Sequence, residues 1–449
     1  MADIQGKEMG KQELFRSVKP DYLLFFPFIV ITVLGILTIY SAGGTGGDTR
    51  GLEQQHIKQI YWALTGIVFF ILLLFVPYQK LGEHAFIIYL GGIFLLFLTL
   101  LIGKRVRGAK SWITVIGGFG FQPSEFIKIA VILLLAKFLD RIGDEIREIK
   151  NVLISLGIVF LPVGLILLQP DFGTALVYLP MALVMLFFAG IKPIHLLSLL
   201  IIFGIAVILP LLTTFGTLTQ VGSLVFLTML DDPKVILIIA LMFGVLSFVC
   251  FILNKVLKKD FILKSMKIFL LFFSGLLLSA LFSKWLKPYQ KERLIVFLKP
   301  TIDPFGSGYN IIQSKIAVGS GGLFGKGLLG GTQSQLGFLP ERSTDFIFSI
   351  FAEAWGFVGS FFLLSLYGLF LYRGVMIIHE TKERYGFLVA SGIVGMFLFH
   401  FIVNIGMTIG IMPVTGIPLP FMSYGGSFIL TCIAATSILF NIEMRRYSR

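Results

Sequence analysis

Apolar residues run along this chain in blocks of bilayer-spanning length, separated by short polar stretches. A helix needs about 20 largely apolar residues to cross the hydrocarbon core. The pattern predicts such spans at 22–41, 59–77, 84–102, 122–139, 151–168, 172–190, 193–212, 235–254, 268–284, 345–372, 386–405 and 425–442. Twelve spans make an all-α, polytopic membrane protein with both ends on one side. The first run lacks a small-residue cleavage site and is long enough to stay as a membrane helix, so no cleavable signal peptide is expected. No heptad seam, low-complexity tract or internal repeat stands out. The expectation is one membrane domain over 1–449, with a short polar segment at 1–21 and a large loop at 285–344.

Composition agrees with the pattern and removes one function class. Only 14% of residues are charged and 56% are hydrophobic, with a mean hydropathy of +0.93, whereas soluble domains carry about 25% charged residues. The net charge of +13 would suit nucleic acid, but the basic residues lie between apolar runs, where they set orientation and meet anionic lipid. Nucleic-acid binding is therefore not expected. With the N-terminus cytoplasmic, the cytoplasmic segments carry 21 Lys and Arg against 15 outside, as the positive-inside rule requires. Most of those 15 crowd into two external loops, 102–121 and 285–344, and a basic surface there suits an anionic substrate.

Four stretches break the membrane pattern. The first runs from Arg105, Arg107 and Lys110 through a glycine-rich segment to Gln122-Pro123-Ser124-Glu125, ahead of Lys128. Ser124 is placed to cap the helix after Pro123. Glu125 and Lys128, three apart, share a helix face and read either as a structural ion pair or as substrate contacts. The second, Gln169-Pro170-Asp171-Phe172-Gly173, is a tight turn with Asp171 capping the next span. The third is the end of the long loop, which reads Gly319-Ser320-Gly321-Gly322-Leu323-Phe324-Gly325-Lys326-Gly327, then Gly330-Gly331-Thr332-Gln333-Ser334-Gln335 and Phe338-Leu339-Pro340-Glu341-Arg342-Ser343-Thr344-Asp345. Its glycines permit the close backbone approach a phosphate needs, but Gly327 follows Lys326 where a P-loop has Ser or Thr. Asp345 reads either as the cap of the next helix or as a carboxylate held at the membrane surface beside Arg342. Glu353, eight residues on, lies on roughly the same helix face. The fourth, 410–427, has too many prolines and glycines for a continuous helix and is expected as a re-entrant loop near Asp345. The five histidines show no metal-ligand spacing, and no metal-ligating set is read from the residues.

At these four stretches the chain resembles the SEDS family (shape, elongation, division and sporulation proteins), from about residue 20 to 445. The run Gly331-Thr332-Gln333-Ser334-Gln335 … Phe338-Leu339-Pro340-Glu341-Arg342-Ser343-Thr344-Asp345 follows the wording of its rod-shape branch; the division branch usually has alanine at Arg342. Two departures are Ser343, where that branch often has histidine, and an additional helix pair near 222–267 on top of a family-typical ten spans. The resemblance implies a peptidoglycan glycosyltransferase of the bacterial cytoplasmic membrane, with both termini cytoplasmic, that polymerises lipid II outside it. It puts the family's essential aspartate on Asp345, as general base for the 4-hydroxyl of one lipid-linked disaccharide. Configuration inverts and undecaprenyl pyrophosphate leaves. Arg105, Arg107, Lys110, Lys326 and Arg342 are candidate partners of that diphosphate, with Thr344, Gln333, Ser334 and Ser423 as further substrate-binding residues. Glu125, Lys128, Asp171 and Glu353 are assigned to supporting the site.

A divalent cation, magnesium or manganese, fits this chemistry; no organic cofactor is implied. The expected partners are lipid II, membrane lipids and a class B penicillin-binding protein, because the chain has no cross-linking domain. The alternatives are a transporter that flips lipid II, which needs ionisable residues at mid-depth in several spans, and a non-catalytic scaffold of the wall-synthesis complex.

Overall fold

The structure is a computed structural model that describes residues 21–43, 54–106, 109–114, 120–219, 232–285, 296–297 and 307–446. Helices fill every predicted span. In chain order they are α1 (Tyr22–Ala42), α2 (Gln55–Phe75), the short α3 (Tyr78–Glu83), α4 (Ala85–Ile102), α5 (Pro123–Ile142), α6 (Ile149–Leu168), α7 (Phe172–Ala189), α8 (Pro193–Thr219), α9 (Pro233–Leu257) and α10 (Asp260–Trp285). The series continues with α11 (Ser307–Ser320), the single turn α12 (Thr332–Gln335), α13 (Ile347–Glu380), α14 (Arg384–Thr408) and α15 (Gly426–Arg445).

Among the described residues, 11 of these helices are long and apolar enough to span a membrane. The one predicted span that misses this criterion is α5, which carries Glu125, Lys128, Lys137, Asp140 and Arg141. Most of its residues are buried, the Glu125–Lys128 pair included. A charged helix persists in a membrane when neighbouring helices, not lipid, receive its polar groups, and α5 packs on α4, α6, α7, α14 and α15.

The chain divides into two compact units, one of residues 1–190 with 313–449 and the other of 191–312. The smaller unit holds α8, α9 and α10, and with them the described part of the additional pair. Residues 222–231 lie outside the described residues. Helices α9 and α10 form an antiparallel hairpin, pinned by the Ser247 hydroxyl donating to the Met266 carbonyl at 3.1 Å and by Phe243 stacked on Phe272. The turn between them is shorter than the sequence suggested, because α10 starts at Asp260 and not at 268. Its early lysines extend the helix beyond the apolar run, as snorkelling side chains can.

The fold is all-α as expected, with one small addition and two corrections of detail. The addition is a small antiparallel sheet of β1 (Lys104–Val106), β2 (Ala109–Thr114) and β3 (Gly120–Phe121), in the order β1-β2-β3. Backbone that leaves a helix near a membrane must still pair its N–H and C=O groups, and this ladder does so. Ser124 is not a cap; the cap position falls on Gln122, and the buried Ser124 hydroxyl has no hydrogen-bond partner among the described residues. The predicted span 345–372 is instead the 34-residue α13, broken at Gly356 by φ 66° and ψ −161°. Residues 357–380 alone run about 36 Å at 1.5 Å per residue, enough to cross a core of about 30 Å. The turns between Ile347 and the break are thus surplus to the crossing and belong to the site.

Candidate active site

Asp345 sits in the tight turn that leads into α13. Glu341 adopts a left-handed backbone (φ 54°), and its carbonyl accepts the N–H groups of Thr344, Asp345 and Phe346 at 3.1–3.3 Å. The helix cap falls on Phe346, so the cap position is not Asp345.

Two other segments lock the turn from outside. The Ser423 hydroxyl donates to the Thr344 carbonyl at 2.6 Å and accepts the Leu419 N–H at 2.8 Å; the Tyr424 N–H donates to the Ser343 carbonyl at 2.8 Å. The Pro-rich segment predicted to lie near Asp345 therefore does so, hydrogen-bonded to two of its neighbours. Within it Gly416 has φ 73°, and a Cβ there would stand 3.4 Å from the Asp345 Oδ2 atom. The carboxylate thus lies against a backbone conformation that only glycine adopts without strain.

Asn404 joins the two segments, and nothing in the sequence reading singled it out. Fully buried on α14, its amide Nδ2 donates to the Asp345 carbonyl at 2.9 Å and to the Ile417 carbonyl at 2.8 Å. One turn earlier His400 Nδ1 lies 3.0 Å from the Pro418 carbonyl. A carbonyl can only accept, so Nδ1 carries the proton and Nε2 is left to accept from the Lys128 ammonium at 3.4 Å. Lys128 also donates to Glu125 at 2.8 Å. The Glu125–Lys128 pair is therefore real, and it reaches the Pro-rich loop through His400. Gln59 of α2 closes the loop's far end: its amide donates to the Ser423 carbonyl at 3.2 Å and accepts the Gly425 N–H at 3.2 Å. The available signal was amide and imidazole side chains inside apolar spans, where an unsatisfied polar group is costly.

Asn404→Leu keeps the volume and deletes both donors. Each lost hydrogen bond to a buried carbonyl costs about 1 kcal/mol or somewhat more, so we expect a drop in unfolding temperature together with a fall in turnover. Unchanged thermal unfolding of the purified variant would contradict this account of Asn404.

A second cluster is built on Glu353, at the end of the surplus turns of α13. Its carboxylate is fully buried. Oε1 accepts from the Gln333 N–H at 3.0 Å, Lys326 Nζ at 3.2 Å, the Thr332 hydroxyl at 3.3 Å and the Ser320 hydroxyl at 3.4 Å, and Oε2 accepts from the Ser334 N–H at 3.1 Å. One carboxylate thus ties together residues at both ends of the glycine-rich loop. Arg342 connects the clusters. Its buried guanidinium donates to the Ser334 carbonyl at 2.5 Å, and burial pulls it down from its ordinary value, although guanidinium remains charged at neutral pH.

The remaining candidates fall elsewhere. The Lys110 ammonium caps the end of α4, donating to the Leu100 and Leu101 carbonyls at 2.7 and 2.9 Å. Arg105 lies in β1, and Arg107 lies outside the described residues. Asp171 caps α7 through the Thr174 N–H at 3.2 Å and accepts from the Gln122 amide at 2.8 Å. Burial pushes its carboxyl up, opposed by those hydrogen bonds. Of the predicted binding set, the structure gathers Lys326, Gln333, Ser334, Arg342, Thr344, Asp345 and Ser423.

The two clusters coincide with the segments on which the family resemblance rests, and sequence comparison settles that resemblance. The model of the FtsW, RodA and SpoVE proteins, described as "Cell cycle protein", matches residues 21–234 and 224–448. The chain belongs to this family. It is 42% identical over 442 residues to the peptidoglycan glycosyltransferase RodA of Treponema pallidum, covering 95% of this chain and 98% of that one. Among solved structures it resembles a chain of a peptidoglycan synthase complex described as coordinating polymerisation and crosslinking (TM-score 0.66, 31% identity, 96% of this chain and 99% of that one). It also resembles the rod-shape-determining protein RodA of Thermus thermophilus (TM-score 0.59, 28% identity, 96% and 99%). Family membership and the apolar helices together make the chain a multi-pass membrane protein, and the RodA likeness agrees with the rod-shape wording of the 331–345 run.

Proposed function

We propose that this chain is a peptidoglycan glycosyltransferase of the bacterial cytoplasmic membrane that polymerises lipid II at the outer face, with Asp345 at the reacting centre. The observation that carries this is the fixing of Asp345 between two layers. Asn404 holds its backbone to the Pro-rich loop, and Arg342 holds its turn to the loop that Glu353 organises.

In this reading the 4-hydroxyl of one lipid-linked disaccharide attacks the anomeric carbon of the other chain. The C–O bond to the diphosphate breaks, undecaprenyl pyrophosphate leaves, and configuration inverts. The attacking hydroxyl loses its proton as the new bond forms, and the Asp345 carboxylate accepts it. A carboxylate is a weak base towards a free alcohol, so the transfer is useful only when concerted with bond formation in a fixed geometry. The departing diphosphate gathers negative charge, which Arg342 and Lys326 would offset in this reading.

Among the described residues no three His, Cys, Asp or Glu side chains form a metal-binding group. Magnesium commonly binds through one or two carboxylates plus substrate phosphates, and Asp345 with the diphosphate would hold it in that manner. There the cation would neutralise charge on the leaving group. A class B penicillin-binding protein is the proposed partner, since the similar chain belongs to a complex that couples polymerisation to crosslinking.

The test is the purified chain with lipid II in detergent, alone and with its transpeptidase partner. Glycan polymer is the expected product. Lipid II translocation in vesicles, with no polymer under any partner condition, would replace this reading with that of a flippase.

A further inference from the structure

The glycine-rich loop carries large apolar side chains that point away from the protein. Phe324 is 81% exposed and Leu323 is 64% exposed, in the loop that the sequence offered as a cradle for phosphate. The backbone of the same loop is occupied by α13. Where Gly356 interrupts that helix, the carbonyls of Glu353 and Ala354 lose their intrahelical partners and accept the N–H groups of Lys326 and Gly327, both at 3.0 Å. The N–H groups of Phe357 and Val358, freed by the same break, donate to the carbonyls of Gly322 and Leu323 at 2.8 and 3.0 Å. Gly325 and Gly330 close their own turns through N–H bonds to Gly321 and Gly327. The loop's backbone is thus paired within the protein where it meets the break in α13, as irregular backbone at membrane depth requires.

Its position along the membrane normal follows from the same bonds. Phe357, Val358 and Phe361 are exposed at the start of the part of α13 that crosses the bilayer, and Gly322 and Leu323 are bonded directly to the first two. The exposed side chains of the loop thus continue the lipid-facing surface of the helix where it enters the hydrocarbon. Lys326, two residues past Phe324, turns back to Glu353, which leaves the tip without an outward ion pair.

We propose that the loop around residues 321–329 is a membrane anchor, with Leu323 and Phe324 among the lipid acyl chains and Lys326 at the level of the headgroups. Phe and Leu side chains insert at the boundary between headgroups and acyl chains, and long cationic side chains reach back from it to polar surroundings. The anchor fixes the depth of the loop that Glu353 and Arg342 tie to the Asp345 turn, so the site is held at the plane where a lipid-linked sugar would stand. The proposal rests on the membrane topology and not on the glycosyltransferase reading, and its test does not involve turnover.

The full chain, with Cys250 and Cys432 replaced by serine and alanine, receives a single cysteine at Phe324 carrying a polarity-sensitive fluorophore. It is reconstituted in phosphatidylcholine–phosphatidylglycerol vesicles. Labels at Phe361, on the lipid-facing helix, and at Lys382, in the exposed turn before α14, serve as references. Nitroxide-labelled lipid is expected to quench the 324 label about as strongly as the 361 label and several-fold more than the 382 label, with iodide having little effect. Strong iodide quenching with weak lipid quenching would put the loop in water and overturn the anchor. Protection from both quenchers would show a protein surface covering it and overturn it equally. The same measurement at Leu323 guards against a local failure of the Phe324→Cys variant to fold.

Discussion

Asp345→Asn should abolish glycan polymerisation while leaving the protein folded. Two contacts that hold this position are made by its backbone: its N–H donates to the Glu341 carbonyl at 3.1 Å and its carbonyl accepts from Asn404 at 2.9 Å. Asparagine preserves both and nearly matches the side-chain shape beside Gly416. What it removes is the ability to take a proton and the negative charge that a cation or a hydroxyl would meet. General-base contributions are typically about 10²–10⁴-fold, so turnover should fall at least about a hundredfold. The measurement is steady-state polymer formation from lipid II, with thermal unfolding of both proteins as the control. A folded variant working at the wild-type rate would remove Asp345 from the chemistry.

Glu353→Leu should be the most damaging change to the fold of the site. Five donors converge on this buried carboxylate, and leucine accepts from none of them. A buried donor left without a partner costs about 1–3 kcal/mol. Some of the five would find substitutes, but the loss should still reach several kcal/mol, visible as a lower unfolding temperature. Glu353→Gln should be milder, since one amide oxygen can still accept while the NH₂ confronts another donor. Lys326→Met should be milder still, because the Lys326 side chain is 28% exposed and partly screened. The expected order of damage is therefore Glu353→Leu, Glu353→Gln, Lys326→Met. Glu353→Leu should lower polymerisation as well, since the Ser334 carbonyl that receives Arg342 belongs to the turn whose N–H groups Glu353 holds. Equal unfolding temperatures for wild type and Glu353→Leu would refute this account.

These effects differ in kind from those of a lipid-facing substitution, and the difference lies in what surrounds each group. Among the described spans, α9 and α10 leave large apolar side chains such as Phe248 and Phe261 exposed and tolerate exchange of one apolar residue for another. Helices α5, α14 and α15 are mostly buried, and several of their polar residues have fixed partners. The Glu125–Lys128–His400 series shows this at one point. Each member would be expensive alone in an apolar environment; α5 supplies Glu125 and Lys128 from one turn, and α14 supplies His400.

The sequence alone determined the number and type of the spans, because the bilayer acts on each apolar run locally and needs only length and hydropathy. It also determined which segments could not be lipid-facing helix, because glycine and proline break the intrahelical ladder wherever they accumulate. Asp345, Arg342, Lys326 and Ser423 were legible for that reason, as polar groups in or beside those breaks. Tertiary structure alone decided that α13 is interrupted at Gly356, that Lys110 serves a helix end, and that Glu353 is the organising anion of the glycine-rich loop. It alone found Asn404, whose two acceptors lie 59 and 13 residues away along the chain. A hydrogen bond is fixed by distance and direction at its two ends, and no local pattern of hydrophobic and polar positions encodes where the other end will be.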